Sequence, residues 1–329
     1  MGNLAHSIRR RLKDRFPPRT IGVFRYARAK YVEIRFQVWL RRELRRSNLA
    51  RGRLASTGRA VRSTVSRKTN VLFFPEHPTE HAVAFKLCIM LGYAITTDPD
   101  GHWDVAFKWQ DTTFFDRALL DRLPREIRII NRESVDISKA AVDRAMQQVF
   151  GYSARIDPTQ YIGQAVQKSD LNATHDGQII HCPLPQASLI SGCVYEKLID
   201  NSVSTRAIYE IRVPVQGARI PLVFLKYRPT ERRFGLRNSF VHVSEADDVF
   251  RKDELENILA FSRKIGLDVG ELDVLRDRTD GRIYIIDANN TPWGPPKRLS
   301  PVLKQVVLAR LAETFADLIQ EVRRGDTAT

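Results

Sequence analysis

Two aspartates and an asparagine near the end of the chain have the residue types and spacing of a metal site. Asp273 lies in one apolar run of the sequence, and Asp287 and Asn289 lie in the next, beyond an Asp280-Gly281 pair. An Asp-Gly pair between two such runs predicts a hairpin, with Asp273 beside Asp287 and Asn289 on the same face as Asp287. Carboxylate and amide oxygens at a strand end suit Mg²⁺, which is usually held together with substrate phosphates. The alternative is that Asp287 and Asn289 only end the strand and begin a turn.

Basic residues at strand-like positions indicate what that metal would accompany. Lys168 ends an apolar run and precedes a polar loop that contains Gly177, and Arg212 and Lys226 each stand within later apolar runs. A nucleotide site needs cations on the phosphates, backbone hydrogen bonds at the adenine edge, and Mg²⁺ held by carboxylates. Each lysine taken alone is typical of a solvated surface, so the prediction depends on the order of the whole set.

That order resembles the ATP-grasp superfamily over residues 71–315, most closely from Lys168 onward. Members of the family have a lysine at a helix start, a second lysine before a glycine-containing loop, an adenine-binding hinge, a basic residue on a later strand, and an Asp followed by a Glu-x-Asn triplet for magnesium. By this resemblance the nucleotide-binding residues are Lys139, Lys168, Glu196, Lys197 and Ile199, the catalytic cation is Arg212 or Lys226, and the metal ligands are Asp273, Asp287 and Asn289.

The resemblance also implies a reaction and its cofactors. We expect ATP and Mg²⁺ as cofactors, and a ligase that joins a carboxylate to an amine through an acyl phosphate. The two substrates would be small molecules or peptides. Glu196 would accept from the exocyclic amine of adenine, and the backbone near Ile199 would bind the ring nitrogen.

The sequence departs from the family pattern at two positions. The metal triplet begins with Asp287 rather than the usual Glu, which shortens the reach of the carboxylate by one methylene. Glu271 stands where some members place an arginine for the reacting phosphate, and Arg276 or Lys226 would have to replace it. Two alternative functions follow: an ATP-grasp phosphotransferase, or an RNA-binding or anionic-surface-binding protein whose ATP site is regulatory or degenerate.

The helices and strands that must position these residues follow two different patterns along the chain. Alternating strands and helices up to about residue 150 predict a mostly parallel open sheet, and the chain beyond Gly163 is rich in strands. Strands are predicted at 71–74, 104–108, 127–130, 164–168, 178–182, 193–198, 205–213, 221–227, 270–275 and 282–287, and helices at 79–91, from Asp136 or Ser138 to about 150, 253–265 and 301–323.

The resemblance implies the α+β class and an ATP-grasp fold, in which a small α/β domain precedes two α+β subdomains that clasp the nucleotide. We place the small pre-ATP-grasp domain at 69–130, the first subdomain at 131–200, and the second at 201–329 with the metal site and the C-terminal helix. Residues 1–68 form a basic, largely helical extension and linker in this scheme.

The basic charge of the chain is confined to that extension. The whole chain has 53 Lys and Arg against 38 Asp and Glu, of which residues 1–68 hold 20 and three, so the remainder is nearly neutral. Apolar residues recur at helical spacing between the arginines of 25–46, which predicts a basic amphipathic helix. Such a helix binds an acidic partner, an anionic membrane surface or RNA, or packs against its own protein.

Cysteine use and hydropathy bear on location. Three widely spaced cysteines offer neither a disulfide framework nor a zinc-binding spacing, which favours buried thiols and a cytoplasmic protein. No run of about 18 apolar residues is present, so a membrane-spanning helix is excluded.

Less regular segments are expected to recognise the substrates. These are 77–81, 228–238 and 293–298, and the last of them contains Trp293-Gly294-Pro295-Pro296, either a wall of the acceptor pocket or a rigid turn. His175 and His181 are isolated in the sequence and are interpreted as turn and strand-end residues.

Overall fold

The structure is a computed structural model that describes residues 69–325, apart from residue 236. The basic amphipathic helix predicted at 25–46 and the linker after it lie outside the described residues. Within the described part, no helix has both the length and the apolar character needed to cross a membrane.

The first part of the described chain is a parallel sheet of four strands. It comprises β1 (Asn70–Pro75), α1 (Val83–Leu91), β2 (Ala94–Thr96), β3 (Val105–Trp109) and β4 (Ile129–Ile130), with the strands in the order β2-β1-β3-β4. The middle residues of β1 and all residues of β3 are buried, and apart from Lys108 they are apolar, because a parallel sheet is covered on both faces. The predicted parallel sheet is confirmed, although the short strand β2 was not expected.

Helix α1 begins at Val83 rather than at the predicted Thr79. Residues 79–82 form a turn, in which the Ala82 N–H donates to the Thr79 carbonyl at 3.0 Å. Ala82 is extended and forms an isolated bridge with Trp293, and the Val83 N–H donates to the Pro292 carbonyl at 2.9 Å. A pairing with a segment two hundred residues away therefore delays the start of the helix.

The middle of the chain contains one helix and a small antiparallel sheet. Helix α2 (Lys139–Phe150) is capped by Ser138, whose Oγ accepts from the Ala141 N–H at 3.1 Å. The sheet has the order β6-β5-β7, built from β5 (Gly163–Ser169), β6 (Gln178–Cys182) and β7 (Cys193–Lys197). Strands β5 and β6 form an antiparallel hairpin whose loop, residues 170–177, contains Gly177.

The last part is a six-stranded antiparallel sheet with two helices. Strands run in the order β11-β10-β9-β12-β13, and a short β8 pairs with β9. The elements are β8 (Ser202–Ser204), β9 (Ala207–Gln216), β10 (Val223–Pro229), β11 (Phe240–Ser244), α3 (Lys252–Lys264), β12 (Val269–Arg276), β13 (Ile283–Asn289) and α4 (Pro301–Arg324). Three 3₁₀ turns occupy Arg117–Arg122, Gln186–Ser188 and Thr230–Arg232.

Two apolar clusters hold these layers together. The larger one packs α2 and α3 on the six-stranded sheet, through residues such as Met146, Ile258 and Leu272. The smaller one covers the parallel sheet and includes Leu72 and Leu120. The described chain therefore has the predicted α+β class, with a parallel α/β part ahead of two antiparallel sheets. The domain boundaries at 130 and 200 stay a prediction.

Asn131 joins the end of β4 to the start of β12. Its Oδ1 accepts from the Val269 N–H at 2.8 Å and its Nδ2 donates to the Val269 carbonyl at 2.7 Å. The Asn131 amide thus pairs with the main chain of Val269 as a residue of an adjacent strand would. Its own N–H donates to Asp268 at 2.7 Å, and its φ of 61° is left-handed. Nearby, a Cβ on Gly266 would overlap the backbone of Glu133. The parallel sheet and the six-stranded sheet thus meet at a tightly packed junction.

Candidate active site

A cavity of about 620 Å³ lies among the two antiparallel sheets, the loop after β5 and the segment that follows β13. We call it the site cavity. All ten site residues expected from the sequence line it: Lys139, Lys168, Glu196, Lys197, Ile199, Arg212, Lys226, Asp273, Asp287 and Asn289. These residues come from α2 and six different strands or strand ends, so the fold brings together positions spread over 150 residues.

The β12–β13 hairpin presents the two predicted metal-binding carboxylates side by side. Asp273 and Asp287 are direct partners in the ladder, and Glu271 is opposite Asn289. A bulge follows Asp273, and this irregularity adds local twist to the strand. Asn289 lines the site cavity, but its Oδ1 also accepts from the Thr291 N–H at 2.8 Å. Asn289 therefore both lines the cavity and begins the turn after β13, and its role as a metal ligand stays a prediction.

Asp273 is paired with Arg212 on the neighbouring strand β9. Arg212 Nε lies 2.8 Å from Asp273 Oδ1, and Arg212 Nη2 lies 2.9 Å from Asp273 Oδ2, which is a bidentate pair. Lys226 Nζ is 3.6 Å from the same Oδ1. Burial alone would raise the pKa of Asp273, but Arg212 and Lys226 outweigh it and hold that pKa well below its usual range. Asp273 is therefore a carboxylate at every pH at which the protein would work.

Asp287 lies in a different environment. Its Oδ1 is 3.3 Å from Lys139 Nζ, yet this buried oxygen accepts no hydrogen bond from the described residues. Burial raises the pKa of Asp287, and Lys139 opposes that rise. An oxygen that is buried and unsatisfied fits a cation ligand, because a hard cation would replace the missing partner.

The donor set as a whole fits magnesium. Asp273, Asp287 and Asn289 offer only oxygens, the ligands that Mg²⁺ takes. Among the described residues no group of three or more His, Cys, Asp and Glu side chains is placed to hold a metal ion. A set of two carboxylates and one amide is consistent with that finding, and phosphate oxygens would complete it. Asp273 would have to share its oxygens between Arg212 and the ion.

Lys168 and Glu196 form an ion pair on the small sheet. Lys168 Nζ lies 2.9 Å from Glu196 Oε1, with both side chains about one-tenth exposed. Lys168 also donates to the Ile286 carbonyl at 3.3 Å. The pair stands beside apolar side chains that line the same cavity, namely Val166, Leu198, Ile208, Leu275 and Ile286. An apolar slot with one carboxylate and one ammonium at its edge suits a purine base and its phosphates.

The loop between β5 and β6 contacts the start of α2. Lys139 Nζ donates to the Leu171 carbonyl at 3.0 Å, and the Ala140 N–H donates to Asp170 at 2.8 Å. At the far end, a Cβ on Gly177 would collide with the ring of Phe234. The loop is thus held at both ends while 172–177 line the cavity, as a phosphate-covering loop requires.

The Lys197 side chain has a role that the sequence did not indicate. Its Nζ lies 2.6 Å from the Tyr284 hydroxyl, 3.1 Å from Asp277 and 3.2 Å from Asp280, all in or beside the turn of the β12–β13 hairpin. Burial opposes these contacts, but together they raise the pKa of Lys197 above its usual value. The Lys197 ammonium therefore binds the predicted hinge, residues 195–199, to the β12–β13 hairpin. Because this side chain is already bound, the backbone of 197–199 is the part of the predicted hinge that can bind a ligand.

Lys226 shares one carboxylate with Arg228. Lys226 Nζ bonds to Glu210 Oε1, and Arg228 Nη2 donates to Glu210 Oε2 at 2.7 Å. Glu210 was missed by the sequence reasoning, although it lies two positions before Arg212 on β9 and therefore on the same face. Arg276 was the other candidate cation, and the structure places it outside the cavity, where it pairs with Glu254 at 2.8 Å.

The segments expected to recognise substrates are divided between the cavity and its rim. Trp293 and Pro296 line the cavity, as do Arg228, Arg233 to Gly235 and Asn238. Residues 77–81 do not line it, although the His81 ring lies 5.4 Å from Trp293. Since Trp293 also pairs with Ala82, it is both a wall of the cavity and part of a fixed turn. His175 lines the cavity with a left-handed φ of 52°, whereas His181 is exposed on β6.

Further lining residues had no recognisable signal in the sequence. Asp111 follows β3, Asn172 lies in the β5–β6 loop, and Thr291 follows β13. They are polar residues in irregular segments, where no periodicity indicates which way a side chain points. Only the assembled fold brings them to the cavity.

Comparison with known proteins gives matches among solved structures. No family model matches the chain, and no curated protein matches it. Among solved structures, D-alanine–D-alanine ligase from Bacillus anthracis complexed with ATP is 14% identical, with coverage of 79% of this chain and 98% of that chain and a TM-score of 0.48.

Two further neighbours belong to the same group. A RimK domain ATP-grasp protein from Sphaerobacter thermophilus is 12% identical, with coverage of 77% and 100% and a TM-score of 0.47. The ATP-grasp ligase PsnB complexed with a minimal precursor is 12% identical, with coverage of 61% and 68% and a TM-score of 0.42. These are solved structures to which the chain is similar, at identities of 12–14% and TM-scores of 0.42–0.48.

Proposed function

We propose that this protein is an ATP- and Mg²⁺-dependent ligase that joins a carboxylate to an amine through an acyl phosphate. The observation that carries the proposal is the meeting of all ten expected residues in one cavity. They lie between positions 139 and 289 of the sequence, on α2 and on six strands or strand ends, and the fold brings them to one surface.

The cavity offers the parts that a nucleotide needs. Apolar side chains, Glu196 and the 197–199 backbone would suit adenine. Lys139, Lys168 and the β5–β6 loop would suit the phosphates, with Lys168 beside Glu196 and Lys139 beside the carboxylate of Asp287. A phosphate at Lys168 would replace Glu196 as its partner, which frees the carboxylate to accept from the adenine amine.

The reaction requires cations around the transferred phosphoryl group. Lys226 and Arg212 stand next to the metal carboxylates, where they would balance the charge that develops as a substrate carboxylate attacks the γ-phosphate. Asp273, Asp287 and Asn289 would hold Mg²⁺, which would supply positive charge to offset part of the negative charge of the phosphates. Arg212 also keeps Asp273 ionised, so the ligand set does not lose a member to protonation.

The test is ADP release by the full chain in the presence of Mg²⁺ and pairs drawn from the twenty common amino acids and their dipeptides. A ligase releases ADP and phosphate only with both a carboxylate and an amine present. A phosphotransferase gives a phosphorylated product without an amine. ATP binding without any product would favour the regulatory or degenerate site, and absence of ATP binding would refute all three.

The remaining parts of the proposal concern organisation. We infer a pre-ATP-grasp domain at 69–130 and two subdomains at 131–200 and 201–329, with a cytoplasmic location and the basic extension as a docking segment for an acidic partner. Limited proteolysis, which cleaves between folded domains before it cleaves within them, would test the boundaries.

A further inference from the structure

Among the described residues, Asp111 is the carboxylate of the site cavity that has neither an ion pair nor a backbone N–H donor. Seven Lys and Arg and six Asp and Glu side chains line that cavity. Glu196, Glu210, Asp273 and Asp287 each pair with a lysine or arginine of the cavity. Asp176 accepts from the Ser169 N–H and the Thr174 hydroxyl of its own loop. Across the described part of the chain, no basic side chain forms an ion pair with Asp111.

The position of Asp111 is set by its neighbours on two sides. Its Oδ1 accepts from Thr291 Oγ1 at 3.2 Å, and the same hydroxyl lies 3.4 Å from Asn289 Oδ1. Two residues on, Thr113 Oγ1 accepts from the Asn172 N–H at 2.8 Å. The segment is therefore held between the end of β13 and the β5–β6 loop, and Asp111 stands at the metal end of the cavity.

Asp111 also lies where an open parallel sheet usually contributes to binding. It follows β3, which ends at Trp109, so it extends from the carboxyl edge of the parallel sheet. Its side chain is exposed to the cavity. An exposed carboxylate has little effect on folding, and its unpaired charge is available to a cation from outside.

We propose that Asp111 is the residue that recognises the amine substrate, and that this substrate enters as a primary ammonium. The inference rests on the proposed ligase function. The other carboxylates of the described cavity are already satisfied, four of them by lysine or arginine and Asp176 by hydrogen bonds within its own loop. An unpaired carboxylate beside the acyl phosphate would therefore select an amine that arrives as a cation.

The proton balance of amide formation needs such a group. An ammonium has three N–H bonds and the amide product keeps one. One proton passes to Asp111 and on to solvent at the cavity mouth, which leaves a neutral amine. The amine nitrogen then attacks the acyl carbon, the C–N bond forms, and the C–O bond to the phosphoryl group breaks with its electron pair on phosphate. The second proton goes to the departing phosphate, so that hydrogen phosphate and one free proton result.

The experiment separates the amine from the rest of the reaction by using hydroxylamine. Hydroxylamine is uncharged at pH 8 and traps an acyl phosphate as a hydroxamate without needing a carboxylate to hold it. For Asp111→Asn we expect amine-dependent ADP release to fall by about 10²-fold. Hydroxamate formation and the Kd of MgATP should stay within about threefold of the wild type, a change of well under 1 kcal/mol in binding.

A matched control and two opposite outcomes complete the test. Asp100→Asn makes the same charge change at another exposed aspartate of the parallel-sheet part, away from the cavity, and should leave both activities unchanged. Equal loss of the amine and hydroxylamine reactions, or loss of neither, refutes the role of Asp111. Weaker MgATP binding by the variant would make Asp111 part of the nucleotide site instead. If the wild type releases no ADP with any pair of amino acids or with hydroxylamine, the ligase function itself fails, and the inference with it.

Discussion

Asp273 and Asp287 face each other across one rung of the β12–β13 ladder and yet have opposite shifts in pKa. Arg212 and Lys226 overcome burial at Asp273 and lower its pKa, whereas at Asp287 burial prevails over Lys139 and the pKa is raised. The difference follows from how completely each charge is compensated. One carboxylate is bound on both oxygens by a guanidinium, and the other retains an oxygen with no hydrogen bond.

Replacing Arg212 should separate metal binding from catalysis. In Arg212→Gln both Asp273 oxygens lose their partner, so two aspartates face each other with less compensation. We expect Mg²⁺ to bind several-fold more tightly without nucleotide, while ADP release falls by about 10²-fold because the transferred phosphoryl group loses a cation. Titration with Mg²⁺ and an ADP assay measure the two effects. Arg278→Gln, an exposed position on the same hairpin, is the control, and weaker Mg²⁺ binding by Arg212→Gln would contradict the assignment.

The Lys168–Glu196 pair should show strong coupling in a double-mutant cycle. Each single variant, Lys168→Met or Glu196→Gln, leaves one buried charge without its partner, so the double variant should cost less than the sum of the two. We expect a coupling of about 0.5–3 kcal/mol in the free energy of unfolding, measured with urea. The exposed Lys252–Glu256 pair on α3 should show no measurable coupling. Additive effects at Lys168 and Glu196 would show that they do not form a pair in solution.

The free energy of unfolding should rise at alkaline pH because of Lys108. It is buried in β3, where it donates to the Ser134 carbonyl at 2.6 Å, and burial lowers its pKa to about 8 from 10.5. Between those values the unfolded chain binds more protons at this residue than the folded chain. The free energy of unfolding therefore increases with pH over this range, by up to about 3 kcal/mol from this group.

Urea unfolding of the wild type and of Lys108→Met between pH 7 and 10.5 tests this expectation. The variant has no such group, so the free energy of unfolding of the wild type, measured relative to the variant, should rise as the pH rises. Lys252→Met, at an exposed position, should follow the wild type throughout. A constant difference between Lys108→Met and the wild type would mean that Lys108 keeps an ordinary pKa.

Two glycines with the same backbone conformation should respond differently to alanine. Gly92 has a φ of 70° and open space around it, whereas Gly266 has a φ of 67° and lies against the backbone of Glu133. The left-handed strain of about 1–2 kcal/mol is common to both substitutions. Gly266→Ala should cost about 1–3 kcal/mol more, because the junction beside Asn131 must move. Equal costs, measured by thermal unfolding, would show that the junction is loosely packed.

The parts of the site that were predictable depend on short-range sequence signals. The Asp280-Gly281 turn fixes the hairpin within twenty residues, and the hairpin in turn fixes Asp273 opposite Asp287. The pairing of Arg212 with Asp273 joins β9 to β12 across sixty residues, and its register is set by the whole sheet rather than by any local pattern. For the same reason nothing in the sequence indicated that Lys197 reaches Asp277 and Tyr284, or that Asp111 reaches the cavity.

The elements of the fold that have clear local sequence signals were also predictable. Strands with clear apolar runs and helices with capping residues were found near their true bounds, such as α2 behind Ser138. Strand β11 was missed because it is a short edge strand, in which Phe240–Ser244 offers only a brief alternation of half-buried and buried residues. The start of α1 was wrong because Ala82 is held by Trp293, a contact that local propensity does not encode.

The β12–β13 hairpin bears on both ends of the proposed nucleotide at once. Its turn contacts Lys197 of the predicted adenine hinge, and its other end carries Asp273 and Asp287. Under the proposed function, the seven residues of β13 would set the separation between base and metal. A substitution in the turn, such as Asp280→Ala, would then displace the base relative to the phosphates without touching either proposed metal ligand. We therefore expect such a substitution to change the selectivity for the length of the polyphosphate.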